Sequence, residues 1–411
     1  MQILLLSQYF PPEVGSAAAK MAEMAHYLRS RGHQVEVVSQ VPNYPTGVVY
    51  PGYEGTWFRQ EKTDGVHVTR TWSYASPERS RFKPRMLNYA SFMGTSLAGI
   101  LAGPRPQLVL VYSPPLFLGL TAASAGVLRG CPFIFWVNDL WPRAAVSLGF
   151  MQEGPWYHLA CAMESFIYRR AARIFVYSEH MLEEVVRGGA SRAKLECHPL
   201  WIDTDIFHPD PKGAKEVRRR FGWGKKFVVL YGGNLGLAQG LDVFIESARL
   251  LREIQDIHFV LVGSGVEKDS LVNMAAANNL ANVEFIAHQP KEQVPAFFSA
   301  ADLLFAHLKA APHRVGTVPE KIMAYMACGR PVLMSAQEGA ALEVIRKHDC
   351  GLTAPPDNPE AVVQAILSLY NNRSQVEPLG SAGRRAVETS YAGPVVLHDM
   401  EASMLNLAGV S

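Results

Sequence analysis

The sequence predicts an α/β protein of two domains, each built on a doubly wound parallel sheet. Segments typical of strands alternate with segments typical of helices along the whole chain, which is the pattern of a parallel sheet covered on both faces. Two glycine-containing loops, residues 11–16 and 232–240, each follow an apolar run and precede a helix, about half a chain apart. The 411 residues also exceed one ordinary core, since domains average roughly 150 residues.

Apolar runs predict seven strands in the first half, near residues 2–7, 34–39, 66–70, 108–112, 133–137, 173–177 and 195–197. The helices between them are expected near 16–30, 86–101, 116–129, 155–170 and 179–187. In the second half, strands are expected near 227–231, 258–262, 283–285, 302–306, 331–334 and 351–353, with a helix at 318–327.

A linker is expected at residues 199–211, where Pro199, Pro209 and Pro211 interrupt any regular pattern. We therefore expect one domain over residues 1–204 and a second over 205–393. A last helix, near 396–408 within residues 394–411, is expected to lie over either domain.

Composition excludes several classes of function. The chain is 48% apolar with a formal net charge of +2 and no concentrated basic face, so nucleic-acid binding is not expected. No uninterrupted apolar stretch reaches roughly 18 residues and the first residues lack a basic leader, so neither a transmembrane helix nor a signal peptide is expected. The 5 cysteines are scattered without metal-ligand spacing, which indicates a reducing, cytoplasmic setting and no metal site.

The glycine loop of the second half is a candidate phosphate site. Asn234, Gly236 and Gln239 lie between an apolar strand and a helix start, where backbone N–H groups and the helix dipole suit an anion. Gly263 follows a neighbouring strand and repeats the signal. The alternative is a plain tight turn between a strand and a helix.

A second loop, residues 309–321, carries cations into a helix start. Lys309, His313, Arg314 and Thr317 precede Pro319, and Lys321 follows in the first helical turn. Three cations beside a helix N-terminus would neutralise a diphosphate without metal, and Glu320 lies among them. The alternative is a solvated loop with a lysine on a helix surface.

Two loops of the first half have comparable positions. Gly15 follows the first strand and allows a ligand to approach the backbone, whose amides could hold a phosphate. Asp139 and Trp141 follow another strand, and Trp141 is expected in a turn or cleft wall. Asp139 is either a site carboxylate or a cap of the following helix.

Together these motifs resemble family 4 glycosyltransferases of the GT-B fold. The motifs are Gly-Asn-Leu-Gly-x-x-Gln-Gly-Leu-Asp, Ile-Asp-Thr-Asp-x-Phe-x-Pro, Pro-x-Lys and Ala-Cys-Gly-Arg-Pro-Val, in the family's order and spacing. The resemblance is closer to the branch of bacterial fucosamine and colanic-acid transferases. It implies two Rossmann-like domains facing across a cleft, an N-terminal acceptor domain and a C-terminal nucleotide-sugar domain. It also implies retaining, metal-independent transfer from a nucleotide diphosphate-sugar without a cofactor.

The chain departs from the wider family at four positions. Asn234 and Gln239 stand where many members have arginine and lysine, and Gly316 and Ala324 stand where many have two glutamates. The second glutamate would bind the ribose hydroxyls, so Glu320, Glu338 or Glu343 is a candidate replacement.

The resemblance assigns roles to the candidate residues. Asp139 would orient the acceptor hydroxyl, while Lys321 and Arg314 would stabilise charge on the leaving diphosphate in a front-face transfer. The expected donor-binding residues are Gly15, Asn234, Gly236, Gln239, Gly263, Lys309, Thr317 and Glu320. The expected donor is UDP-linked, with an N-acetylated amino sugar, and the acceptor is a lipid-linked or other saccharide of a cell-surface polysaccharide such as O-antigen. The alternatives are a catalytically impaired subunit with this fold and a nucleotide-sugar 2-epimerase.

A basic segment precedes an apolar helix in the first domain. Arg79, Arg81, Lys83 and Arg85 lie just before residues 86–93, a combination that suits an anionic membrane surface. We therefore expect peripheral association with the inner face of the cytoplasmic membrane, with Trp141 on the acceptor side. The alternative is a charged loop ahead of a core helix.

Overall fold

The computed structural model describes residues 1–78, 81–147, 151–311 and 314–409. The chain divides into two compact units, the first comprising Met1–His198 with the segment from Leu397 onward and the second Pro199–Val396. The expected border at residues 204 and 205 lies beside this division, within the proline-interrupted segment.

The first unit contains an eight-stranded sheet whose order is β3-β4-β2-β1-β5-β6-β7-β8. Its strands are β1 Gln2–Leu6, β2 Gln34–Gln40, β3 Phe58–Thr63, β4 Val66–Thr71, β5 Leu108–Ser113, β6 Phe133–Val137, β7 Arg173–Val176 and β8 Leu195–Cys197. All neighbours pair in parallel except β3, which runs antiparallel to β4 at the edge. The sequence analysis did not predict β3, because its polar and largely exposed side chains give no apolar signal.

Helices of the first unit cover both faces of this sheet. They are α1 Ser16–Ser30, α2 Phe82–Ala102, α3 Leu118–Arg129, α4 Arg143–Ser147, α5 Pro155–Arg170 and α6 Glu179–Arg187. The expected start of α2 at residue 86 is wrong by four residues, because Pro84 lies in the first turn, where a helix tolerates proline.

The second unit contains a six-stranded parallel sheet of order β11-β10-β9-β12-β13-β14. Its strands are β9 Phe227–Asn234, β10 Ile257–Ser264, β11 Val283–Ile286, β12 Leu303–His307, β13 Val332–Ser335 and β14 Gly351–Ala354. Numbered within the unit, this is the 3-2-1-4-5-6 order of dinucleotide-binding folds. Ligands bind such sheets beyond the carboxyl ends of the strands where the order reverses, which here lies between β9 and β12.

The second unit's helices lie on both faces of its sheet. They are α7 Pro211–Arg220, α8 Asp242–Leu250, α9 Lys268–Ala277, α10 Val294–Ala300, α11 Glu320–Ala327, α12 Ala340–His348, α13 Pro359–Tyr370 and α14 Val376–Ala386. The last helix, α15 Gly393–Ala408, begins in this unit and belongs to the first unit from Leu397 onward. Val228 and Leu230 belong to one buried cluster, while Val229 and Tyr231 belong to another. Because successive residues of a strand point to opposite faces, these two clusters confirm a sheet covered on both sides.

The end of α15 belongs to the first unit. The Glu401 carboxylate, which is buried, accepts hydrogen bonds from the Tyr27 hydroxyl at 2.9 Å and the Arg31 Nε at 3.1 Å. The same carboxylate lies 2.8 Å from His33 Nε2. The sequence did not decide which domain the last helix packs on, and these contacts attach its end to α1 and the loop that follows.

Among the described residues, no helix combines the length and hydropathy needed to cross a membrane.

Candidate functional site

Two glycines allow adjacent strands of the second unit to approach closely at their carboxyl ends. Gly233 of β9 and Gly263 of β10 are register partners with φ of 132° and 154°. A Cβ on Gly263 would lie 1.9 Å from the Gly233 carbonyl oxygen, which no side chain could tolerate. The expected loop at 232–240 therefore starts later than predicted, because β9 continues to Asn234 before the chain turns.

Two buried tyrosines hold the end of β9. The Tyr325 hydroxyl accepts a hydrogen bond from the Gly232 N–H at 2.9 Å and donates to the Gly232 carbonyl at 3.1 Å. The Tyr231 hydroxyl donates to the Asn234 carbonyl at 2.7 Å. The backbone at this end of the sheet is thereby fixed by side chains from β9 and α11.

Lys321 lies directly beside this glycine segment. The Nζ atom is 3.8 Å from the centre of the Tyr231 ring and makes a hydrogen bond with the Tyr231 hydroxyl. Among the described residues, no carboxylate lies within ion-pair distance of this amine. Burial disfavours the charged form and lowers the pKa of Lys321 from 10.5 to about 7. The lysine is thus a half-buried amine without a carboxylate partner in the part of the chain that the structure describes.

The expected cations Lys309 and Arg314 pack against the turn that follows β9. The stem of Lys309 covers Gly240, whose φ is 52° and where a Cβ would lie 2.6 Å from the lysine Cε. Lys309 Nζ is 3.7 Å from the Asp242 carboxylate. Arg314 Nη1 donates to the carbonyls of Ala238 at 2.9 Å and Lys309 at 3.2 Å. The structure therefore brings the two predicted loops together.

Three polar donor-binding candidates lie in or beside these two loops. A Cβ on Gly236 would be 2.7 Å from Asn234 Nδ2 and 3.0 Å from Gln239 Oε1, so the side chains of Asn234 and Gln239 both lie against Gly236. The Thr317 N–H donates to the Arg314 carbonyl at 3.0 Å and closes the second loop before α11. His313 lies outside the described residues.

One residue of this region, His307, was missed by the sequence analysis. It ends β12 with a fully buried side chain, and its Nε2 is 3.2 Å from the Asp357 carboxylate. Burial lowers the pKa of His307 to about 4, so the ring is neutral near pH 7. Asp357 also accepts a hydrogen bond from the Ala310 N–H at 3.3 Å, which attaches the loop that carries Lys309 to the segment before α13. The sequence did contain a signal for this residue, because a histidine lies at the end of the predicted strand, two residues before Lys309.

The positions of the missing glutamates have distinct surroundings. Ala324 is buried in the core of the second unit, whereas Glu338 forms a two-point ion pair with Arg346 at 2.7 and 2.9 Å. Glu320 is the half-buried first residue of α11, and Glu343 is exposed on α12. No group of three His, Cys, Asp or Glu residues suited to a metal ion occurs in the described ranges.

In the first unit, the buried carboxylate of Glu13, two residues before Gly15, connects this loop to residues 40–44. Glu13 accepts hydrogen bonds from the N–H groups of Asn43 at 2.9 Å and Tyr44 at 3.0 Å, and from Gln40 Nε2 at 3.0 Å. Burial raises the pKa of Glu13 despite these donors. A Cβ on Gly15 would lie 3.3 Å from the Tyr44 ring, so the loop packs against that ring.

Asp139 and Trp141 follow β6, as expected. Asp139 is exposed, and α4 begins only at Arg143, so Asp139 lies before the first turn of that helix. Trp141 packs against Phe117 with ring centres 5.7 Å apart, at the start of α3. Arg143 Nη1 donates to the Glu184 carbonyl at 2.9 Å and fixes the chain beyond the tryptophan.

The basic segment lies at the start of α2. Arg81 forms an exposed ion pair with Glu78 at 2.9 Å, Lys83 is exposed and Arg85 is half-buried. Leu87, one turn further, is 55% exposed. Arg79 lies outside the described residues.

Comparison with known proteins identifies the class. A Glycosyl transferase 4-like domain model matches residues 15–201, and a Glycosyl transferases group 1 model matches residues 214–386. The solved structure of Anabaena Alr3699/HepE in complex with UDP superposes with a TM-score of 0.75 at 15% identity, covering 99% of this chain and 100% of that one. The fold and these matches define a glycosyltransferase with the GT-B fold, as the sequence predicted.

Curated relatives agree with this class. The putative colanic acid biosynthesis glycosyl transferase WcaI of Escherichia coli (strain K12) is 26% identical over 89% of this chain and 91% of that protein. A GDP-mannose-dependent phosphatidylinositol monomannoside mannosyltransferase of Mycolicibacterium smegmatis is 29% identical over 47% of this chain and 51% of its own length. The chain belongs to the family 4 glycosyltransferases.

Proposed function

We propose that this glycosyltransferase uses a nucleoside diphosphate-sugar and holds the leaving diphosphate at the carboxyl end of β9 in the second unit. The observation that carries this proposal is Lys321, a half-buried amine beside Gly233 without a described carboxylate partner. A diphosphate would supply the missing negative charge. Lys309 and Arg314, on the adjoining loop, add positive charge to the same region.

The chemistry that we propose is a retaining front-face transfer without a metal. The leaving phosphate oxygen takes the proton of the acceptor hydroxyl while the bond from the anomeric carbon to that phosphate oxygen breaks. The new glycosidic bond forms on the same face of the sugar. Lys321, Lys309 and Arg314 then need only stabilise the charge that develops on the diphosphate, in an environment where fixed donors cost no reorganisation.

For the base we propose uridine. The Anabaena Alr3699/HepE structure is a complex with UDP, which supports this choice, whereas the mycobacterial relative is named as GDP-mannose-dependent. We propose an N-acetylated amino sugar as the group transferred, on the resemblance to fucosamine transferases. Glu320, the half-buried first residue of α11, is our candidate for the ribose hydroxyls, because it directly precedes Lys321 at the proposed diphosphate site.

For the acceptor we propose a saccharide carried on a membrane lipid, in the synthesis of a cell-surface polysaccharide. WcaI is named for colanic acid biosynthesis, which supports this pathway class. We place the acceptor on the first unit, near Asp139 and Trp141, with Asp139 orienting the hydroxyl. The start of α2, with Arg81, Lys83 and exposed Leu87, is the proposed contact with anionic lipid at the inner face of the cytoplasmic membrane.

The test of the donor site is calorimetry with UDP and GDP, first without metal and then with magnesium. Metal-free binding of one nucleotide, lost in Lys321→Met and kept in Lys225→Met, is the expected result. Lys225 is a matched control because it is exposed and precedes β9 at the opposite end of the same strand. Binding of neither nucleotide would favour the catalytically impaired subunit, to which the buried Ala324 at the glutamate position points.

The membrane contact has a separate test. Vesicles rich in phosphatidylglycerol should pellet the protein at low salt and release it as salt rises, because exposed charges are screened within about 10 Å at 0.1 M. A variant with Arg81, Lys83 and Arg85 changed to glutamine should stay in the supernatant. Pelleting that is unaffected by salt or by these changes would contradict the contact.

A further inference from the structure

Lys321 has an unusual immediate environment for a lysine. The amine lies over the face of Tyr231 and bonds with its hydroxyl, while Gly233 provides bare backbone on a third side. A cation over an aromatic face is stabilised by the ring quadrupole, but far less than by a buried carboxylate. The protein therefore positions this amine without neutralising it.

The direction of the hydrogen bond follows from the other partner of Tyr231. The hydroxyl has one proton, which it donates to the Asn234 carbonyl at 2.7 Å. Toward Lys321 the oxygen can therefore only accept, so the lysine donates one N–H to it. The remaining N–H groups of the amine are available to a phosphate oxygen.

We propose that Tyr231 is a positioning residue that aims the Lys321 amine at the leaving diphosphate, and that nucleotide binding draws one proton onto this amine. The proposal rests on the proposed function, since it requires a diphosphate at this position. The proton comes from solvent, and the charged ammonium then pairs with the diphosphate oxygens. Donor binding, and with it turnover at limiting donor, should therefore weaken above neutral pH.

Several other titratable groups face this region. They are His307 at the end of β12, Lys309 in the loop that follows, Asp242 at the start of α8 and Asp357 before α13. Burial lowers the pKa of the His307 ring to about 4 and raises the pKa of the Tyr231 hydroxyl well above its usual value, so neither group changes its charge near neutrality. The Asp242 carboxylate lies 3.7 Å from Lys309 Nζ. The other titratable residues of α11 are Glu320 and Tyr325. Lys321, with a pKa of about 7, changes its charge between about pH 6 and 8.

The test is titration calorimetry of the full chain with UDP and with GDP at pH 8, in HEPES and in Tris. The two buffers differ in ionisation enthalpy, so the difference in observed heat gives the number of protons taken up. A lysine of pKa about 7 that becomes fully charged on binding should take up about 0.9 proton at this pH. In Lys321→Met, any residual binding should proceed without that uptake.

Three tyrosine variants separate positioning from general structural damage. Tyr231→Phe keeps the ring but loses both the acceptor for Lys321 and the donor to the Asn234 carbonyl, so it should weaken nucleotide binding by at least about tenfold, the effect of one hydrogen bond to a charged group. Tyr231→Leu also loses the ring face and should weaken it further. Tyr325→Phe is the matched control, because the hydrogen bonds of its hydroxyl within the described ranges go to the Gly232 backbone, and it should lower thermal stability while proton uptake is unchanged.

Each outcome decides the matter. Nucleotide binding with no difference between the two buffers would overturn the inference and leave the donor site standing. Wild-type affinity in Tyr231→Phe would overturn the positioning role in the same way. Failure of both UDP and GDP to bind the wild-type chain would overturn the donor site, and the inference with it.

Discussion

Replacing Lys321 with methionine should stabilise the second unit while it removes nucleotide binding. Methionine has a similar length and no charge, and its sulfur packs well against an aromatic ring such as Tyr231. The lysine, in contrast, keeps a cation in a half-buried position without a described counter-ion. A site prepared for an anionic ligand should carry this cost whenever the ligand is absent.

The size and sign of the effect follow from the pKa of Lys321. Burial lowers that pKa from 10.5 to about 7, so the unfolded chain binds the proton more tightly than the folded one. At about 1.36 kcal/mol for each pKa unit, the cost is roughly 5 kcal/mol below pH 7 and disappears as the pH rises toward 10.5. Relaxation and entry of water reduce this figure, so we expect Lys321→Met to be more stable by about 2–4 kcal/mol at pH 7 and by less than about 1 kcal/mol at pH 10.

The assay is urea unfolding of wild type, Lys321→Met and the control Lys225→Met at pH 7, 8.5 and 10. Trp201 and Trp223, both fully buried in the second unit, contribute to the fluorescence signal of its unfolding. The difference between Lys321→Met and wild type should shrink as the pH rises, while Lys225→Met follows wild type throughout. A less stable Lys321→Met at pH 7, or a difference independent of pH, would refute the reasoning.

Three further predictions concern other positions. Gly263→Ala places a Cβ 1.9 Å from the Gly233 carbonyl and should cost at least about 3 kcal/mol in urea unfolding, whereas a loss under 1 kcal/mol would mean that the strand ends separate easily. Glu401→Ala leaves Arg31 and Tyr27 without their shared acceptor, so it should lower the free energy of unfolding by about 2–4 kcal/mol. Amide hydrogen exchange in α15 should also become faster, and unchanged exchange would contradict this anchoring. Burial lowers the pKa of His307 from 6.5 to about 4, so the folded protein keeps this ring neutral. Wild type should therefore lose roughly 3 kcal/mol of unfolding free energy between pH 6.5 and 4 that His307→Asn does not lose. Parallel curves of stability against pH for the two proteins would contradict this prediction.

The elements that the sequence predicted well are those with a local signal. Apolar runs such as 227–231 and 302–306 identified the buried strands, because parallel strands covered on both faces are apolar at nearly every position. Strand β3, Phe58–Thr63, was missed because an edge strand facing solvent needs no apolar alternation. Its pairing with β4 is set by the turn that joins them, where Asp64 and Gly65 both have positive φ.

The candidate site shows the same division. The glycines and cations were predictable because strand, turn and helix start are neighbours along the chain. The partnership of Lys321 with Tyr231 was not, because the two residues are 90 positions apart and meet only once the sheet and α11 are packed. The same reason explains His307, whose partner Asp357 lies beyond two further strands. Sequence identified the charges, and tertiary packing determined which of them are left without a partner.

The most direct measurement is a crystal structure of the protein grown with UDP in metal-free solution, or with GDP if calorimetry selects it. We expect a diphosphate beyond β9, with a phosphate oxygen within about 2.7–3.2 Å of Lys321 Nζ and the Tyr231 hydroxyl still hydrogen-bonded to that amine. A diphosphate bound elsewhere on the chain, or one at this position that leaves Lys321 without a phosphate contact, would contradict this expectation.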